Sequence, residues 1–245
     1  LFILFLFLKV EAPGTQQGAV LYLTDRDATG LEQTVADARA LGGEVAEHRA
    51  LDISDYDAVA AFASDIHSRH EAMDVVLNIA GISAWGTVST LTHQHWRSMV
   101  DVNLMGPIHV IETMVPPMVA AGRGGRLANV SSAAGIVALP WHAAYSASKY
   151  GLRGVSEVLR FDLARHRIGV SVVVPGAVKT PLVHTVDIAG VDRGSLLGGD
   201  GYGSVAGRMA MQCSFGFNGT FNGATVSVSA GHCDPNLPAA GTPQA

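Results

Sequence analysis

The sequence predicts an α/β domain built on a doubly wound parallel sheet, and three observations carry that expectation. From residue 19 to about residue 193, short apolar runs alternate with segments of helical periodicity, the pattern of repeated βαβ units. The run Val170-Ser171-Val172-Val173-Val174 is the β-branched kind that parallel sheets bury on both faces. Finally, 245 residues with 48% apolar and 15% charged side chains suffice for one sizeable core and exclude a wholly disordered chain.

The elements follow in order. Residues 1–8 are apolar but too few to cross a bilayer, which takes about 20, so no membrane span is expected. Lys9 follows this run instead of preceding it, against the charge order of a secretory signal. A buried strand, a signal remnant and the scar of a truncated frame all stay open. Too few residues separate Val10 from Ala19 for a parallel crossover, so this segment pairs antiparallel or not at all.

Residues 19–24 read as a strand. Thr29 with Glu32 forms a capping box for a helix carrying Leu31, Val35, Ala38 and Leu41, which Gly42 and Gly43 end. Residues 44–51 give a second strand, Ser54 caps a helix buried through Val59, Phe62 and Ile66, and residues 74–79 give a third strand. A long helix over 92–119 meets Pro107 at a bend or turn boundary. A strand at 126–130, a helix at 145–166 and a strand at 170–174 complete the set. Beyond residue 193 the chain is glycine-rich and nearly uncharged, an irregular tail with one alternating run at 224–229. Three segments result: an apolar stub (1–18), the α/β domain (19–193) and the tail (194–245).

Composition excludes several functions. Lys plus Arg total 16 against 21 Asp plus Glu, a net charge of -5, and no basic cluster could neutralise a run of phosphates, so nucleic acid is not an expected partner. Both cysteines, Cys213 and Cys233, lie near the end, so the main body carries no disulfide framework and reads as cytoplasmic. No His/Cys/Asp spacing points to a metal, and the methionines at 99, 105, 114 and 118 read as core or subunit-contact packing.

The chemistry concentrates in a few residues. Tyr145 and Lys149, four apart on a predicted helix, share one face, and a cation beside a phenol favours its ionised form. Ser132 ends a strand, at the carboxyl edge of the sheet where ligands of open α/β folds bind. Ser83, Trp85, His142 and residues 182–188 are candidates to border a pocket of mixed character.

With Asn78-Ile79-Ala80-Gly81, Val102-Asn103, Ser132 thirteen residues before Tyr145, the Tyr145/Lys149 pair, and Pro175-Gly176 with Val178 and Thr180, the chain resembles the short-chain dehydrogenase/reductase family over about residues 19–188. The resemblance implies a Rossmann-type fold and hydride transfer between a nicotinamide cofactor and a carbonyl or alcohol. It makes Tyr145 the general acid/base. Lys149 would lower the phenol's pKa and bind the nicotinamide ribose, Ser132 would hold the substrate oxygen, and Asn103 would hold a relay water and pin its helix. On the cofactor side it names Asp25 for the adenosine ribose, Asp52 and Ile53 for the adenine, Asn78, Ala80 and Gly81 beside them, and Pro175, Gly176, Val178 and Thr180 over the nicotinamide. A carboxylate at Asp25 favours NAD, while Arg26 could accept the phosphate of NADP. A homo-oligomer is implied, paired through the helices of Asn103 and Tyr145.

The chain departs from that pattern at both ends. The family's first strand, Gly-rich phosphate loop and following helix are not legible before Asp25, and Gly14 and Gly18 read as loop. The family's last strand and helix are not legible in the tail. The alternative is therefore a catalytically inactive fragment or oligomerising module. Around Cys213 and Ser229-Ala230-Gly231-His232-Cys233 the tail resembles the opening of a chymotrypsin-like serine protease, which implies a disulfide and a catalytic His232. Too little sequence follows for a triad, and the mixture of redox compartments suggests a hybrid chain.

Overall fold

A computed structural model describes residues 5–10 and 19–176, and the strand segments 187–189, 201–206, 209–221 and 224–229. Strand β1 (Phe5–Val10) is followed by β2 (Ala19–Asp25), α1 (Ala28–Ala40), β3 (Glu44–Ala50), α2 (Tyr56–His67), β4 (Val75–Asn78) and β5 (Ala84–Gly86). Then come α3 (His93–Val100), a π-helical turn (Asp101–Met105), α4 (Gly106–Ala121), β6 (Gly125–Val130), a 3-10 turn (Ala133–Gly135), α5 (Ala143–Ala164) and β7 (Ile168–Val173).

The main sheet has the order β3-β2-β1-β4-β6-β7. The pairs β2/β3, β4/β6 and β6/β7 are parallel, as the βαβ pattern requires. Strand β1 runs antiparallel to both β2 and β4, the first of the two outcomes its short connection left open, with Phe5 opposite Thr24 and Asn78. The short connection to β2 allows only this direction. A crossover to a parallel neighbour would need a dozen or more residues.

Successive residues of β2 point to opposite faces. Leu23 packs with Val45 and with Leu31 and Val35 of α1. Tyr22 joins a larger core with Phe62 and Ile66 of α2, Met114 of α4, Leu163 of α5 and Leu127 of β6. Each fully buried side chain of this size stabilises the fold by about 1.5–3 kcal/mol. The run His93–Ala121 is long and apolar enough to cross a membrane by length and composition, yet its Val110, Met114, Val115 and Met118 are buried in this core.

Local signals shift by a residue or two. Asp27, not Thr29 with Glu32, caps α1 by accepting from the Thr29 N–H, and Asp55, not Ser54, caps α2 through the Ala58 N–H. In both cases an Asp just before the helix reaches the free amides first. Thr92 opens α3 with a capping box to His95. The single long helix expected next runs continuously through α3, the π turn and α4, and Pro107 stands just after the π turn, at the boundary where the sequence placed a bend. Gly122, at φ 65°, ends α4 in the left-handed conformation that glycine adopts without strain.

The tail is not irregular throughout. Besides β11 (Ala224–Ser229), it forms β9 (Gly201–Ala206) and β10 (Met209–Phe221), a three-stranded antiparallel sheet in the order β11-β10-β9. Between the two regions β8 (Asp187–Ala189) pairs in parallel with β5, Trp85 standing opposite Ile188.

Candidate active site

Ser132 leaves β6 in extended conformation and caps the 3-10 turn, its hydroxyl accepting from the Ala134 N–H at 3.2 Å. The same side chain lies close enough to the Tyr145 phenol, across the gap to α5, to lower its pKa. Two bonds fix the end of β6 against that helix: Lys149 Nζ donates to the Val130 carbonyl at 3.0 Å, and Ser131 Oγ donates to the Lys149 carbonyl at 2.9 Å. Because four helical residues bring side chains onto one face, the Lys149 ammonium lies 5.8 Å from the Tyr145 ring centroid. Ser132, Tyr145 and Lys149 therefore meet as the spacing anticipates.

Their electrostatics differ from expectation. Burial pushes the Tyr145 phenol above its ordinary value, and the Ser132 side chain opposes this only in part. Lys149, fully enclosed, is itself pulled down to about 8 by loss of water. The residues present thus hold Tyr145 as a neutral phenol, whereas the sequence suggested a cation-stabilised phenolate. Desolvation, which periodicity does not reveal, is the largest cause.

Asn103 is completely buried in the π turn. Its Oδ1 accepts from the Ile82 N–H at 2.8 Å, while Nδ2 donates to the Ile82 carbonyl at 2.9 Å and to Ser148 Oγ at 3.1 Å. Ser148 Oγ donates in turn to the Tyr145 carbonyl at 2.7 Å. Asn103 thus pins its helix to the loop after β4, and its side chain is spent on protein partners. Gly81 sits in the same corner, where a Cβ would come within 3.1 Å of Lys149 Nζ and 3.2 Å of Asn103 Oδ1. Its lack of a side chain leaves the ammonium its place.

At the other end one cleft is lined by Asp25, Arg26, Asp52, Ile53, Ala80 and Val102, at the carboxyl ends of β2, β3 and β4. Asp25 is 5% exposed and its Oδ1 accepts from the Asp27 N–H at 2.8 Å. Asp52 is exposed and accepts from the Ser54 amide and hydroxyl, while Ile53 is buried with its carbonyl 2.9 Å from His109 Nδ1. Asn78 is 1% exposed and ties strands together, its Nδ2 donating to Asn129 Oδ1 at 2.7 Å. The Pro175 carbonyl accepts from the Ala133 N–H at 2.9 Å, beside Ser132, and Gly176 follows it on the surface.

Val178, Thr180, Gly14, Gly18, His232 and Cys233 lie outside the described residues, while Cys213 belongs to β10. Ser148 and Ser131 were missed by sequence reasoning. Ser148, one turn after Tyr145 on the same helix, carried a spacing signal that could have found it; Ser131 carried none beyond adjacency to Ser132. Among the described residues no group of three or more His, Cys, Asp or Glu could hold a metal.

A parallel βαβ sheet with a Ser/Tyr/Lys cluster at the carboxyl end of its strands defines a dinucleotide-type oxidoreductase scaffold. The profile of the short chain dehydrogenase family matches residues 14–189, and the chain belongs to that family. It is 34% identical over 177 residues to a putative oxidoreductase, SadH, of Mycobacterium tuberculosis, covering 71% of this chain and 63% of that protein. It is 36% identical over 154 residues to the trans-4-hydroxycyclohexanecarboxylate dehydrogenase of Sinomonas cyclohexanicum, covering 63% and 57% respectively. The chain therefore spans less than two-thirds of the length of these relatives. Among solved structures, a metagenomic short-chain oxidoreductase in complex with NADP superposes with a TM-score of 0.61 at 38% identity, covering 66% of this chain and 73% of that one. A short chain dehydrogenase/reductase from Burkholderia phymatum in complex with NAD gives 0.62 at 28% identity, covering 66% and 58%.

Proposed function

We propose that this chain is a nicotinamide-dependent oxidoreductase that interconverts a secondary alcohol and a carbonyl, with Tyr145 as general acid/base. The observation that carries the proposal is the meeting of Ser132, at the end of β6, with a buried Tyr145 whose ring lies 5.8 Å from the buried Lys149 ammonium. The donor set fits two ends of a nicotinamide dinucleotide. Of the three donors on Lys149 one is used on Val130, which leaves two for ribose hydroxyls. Asp25 supplies acceptors at the far end of the cleft, with Ile53, Ala80 and Val102 as apolar walls for an adenine.

When bound, the cofactor would supply or accept hydride. The protein's own part is proton handling. Ser132 would donate a hydrogen bond to the substrate oxygen, and Tyr145, kept protonated by burial, would release its proton to that oxygen during reduction. Asn103, through Ser148, holds the first turn of α5 and so the phenol's position. Pro175, Gly176, Val178 and Thr180 belong in this reading to the segment over the nicotinamide.

Asp25 supports NAD as the cofactor, and exposed Arg26 beside it supports NADP as a second choice. The expected partner is a small alcohol or ketone. The exposed Val158 and Phe161 on α5 support a homo-oligomer paired through that helix. A cytoplasmic site is read from the cysteine-free main body. The test is alcohol-dependent appearance of reduced nicotinamide. Turnover should fall by about 100-fold or more in Tyr145→Phe with the circular dichroism spectrum unchanged; a variant as active as the parent would refute the proposal.

One observation favours the inactive alternative. Val10 pairs with Ala19, at the edge of β2 opposite Asp25, so the ends of the segment carrying Gly14 and Gly18 lie on the side of the sheet away from the cleft. Calorimetric titration with NADH separates the readings: heat of binding in the micromolar range supports the enzyme, and none supports the fragment.

A further inference from the structure

The wall beside Tyr145 is aromatic and fixed by hydrogen bonds. The His142 imidazole lies between two rings, 4.6 Å from Trp85 at a tilt of 37° and 6.2 Å from Tyr145 edge-on. His142 is 6% exposed, and its Nδ1 meets the Pro140 carbonyl at 2.6 Å, which stops the imidazole from rotating. The Trp85 indole N–H is occupied by Ser83 Oγ at 2.8 Å, so the half-buried indole has no donor left to offer.

The backbone beneath is held under strain to keep this arrangement. Trp141 adopts φ 64°, a conformation that non-glycine residues rarely take, and its carbonyl accepts from the Gly86 N–H at 2.9 Å. This bond clamps β5 to the turn before α5 and sets Trp85 against His142. Below, Ala84, Leu91, Met99, Ala134, Ala144 and Tyr145 form a separate apolar cluster. The wall is therefore held in place, with the indole donor and the imidazole Nδ1 already engaged within the protein.

We infer that Trp85 and His142 determine substrate specificity, selecting secondary alcohols or ketones whose reacting carbon is borne on a planar unsaturated ring. The inference rests on the oxidoreductase reading above. A flat ring gains from stacking what a puckered ring of equal size does not. The probes are accordingly α-methylbenzyl alcohol and its ring-saturated counterpart, which match in size and in the reacting carbon.

The expected result is a kcat/KM preference of about threefold to tenfold for the aryl probe. Trp85→Leu and, independently of any folding defect in that variant, His142→Leu should erase it, while Trp85→Phe should restore it. Equal kcat/KM for the two probes, or a preference that survives both leucine variants, overturns the inference and leaves the redox reading intact. If neither probe is turned over, saturation-transfer NMR decides. Tighter binding of the aryl probe that is lost in Trp85→Leu sustains the wall while the redox reading fails, and equal or absent binding overturns the wall itself.

Discussion

Around Tyr145 the side chains of Lys149, Asn103 and Ser148 are buried and bonded to backbone or to one another, whereas in the Asp25 cleft Arg26 and Asp52 stand in solvent while Asp25, Ile53 and Ala80 are enclosed. The catalytic end is overdetermined: displacing one side chain leaves buried polar groups without partners. The other end can change side chains at little cost to the fold. In the proposed function the proton-handling residues are thus tied to stability, whereas exposed Arg26 is not.

The sharpest way to break this contrast is Asn103→Leu, which strips the Ile82 N–H and carbonyl of their partners. We expect a loss of about 4 kcal/mol in urea unfolding, from two orphaned backbone groups and a lost bond to Ser148. A loss under about 1 kcal/mol would show that the corner is not held as described.

Lys149 tests the same end through pH. Its folded pKa of about 8 lies below the ordinary 10.5, so the unfolded chain binds the proton more tightly. The penalty is full below pH 8 and is relieved as pH rises from about 8 to 10.5, a gain on the order of 3 kcal/mol. Tyr145, raised above its ordinary 10.0, acts in the opposite sense, costing stability only as pH climbs past that value. Lys149→Met should flatten the rise measured by denaturant titration between pH 8 and 10 and stabilise the protein at neutral pH. An unchanged slope would mean that the ammonium is hydrated. The smallest effect belongs to the exposed end: Arg26→Ala should lower affinity for NADP relative to NAD by about tenfold or less, with no change in melting temperature.

Most of the scaffold could be read in advance because its signals are local. The strands after residue 19 follow from apolar runs, and Tyr145 with Lys149 from helical spacing. What escaped depends on distant contacts. The direction of β1 is fixed by a connection length that left two outcomes open, and its place between β2 and β4 by pairings no periodicity contains. The π turn arises where Asn103 reaches Ile82, 21 residues away. The raised phenol of Tyr145 reflects how deeply α5 is packed, and the tail strands β9 and β10 are glycine-rich sequences that carry weak strand propensity.

Strand β1 has a consequence for how the molecule comes apart. Among the described residues, the ladder order makes Phe5–Val10 the strand that hydrogen-bonds the β2–β3 pair to the β4–β6–β7 group. If those six residues detach, the sheet divides along the line where the two ends of a dinucleotide would part company, and amide exchange at Leu21 and Leu77 should accelerate together.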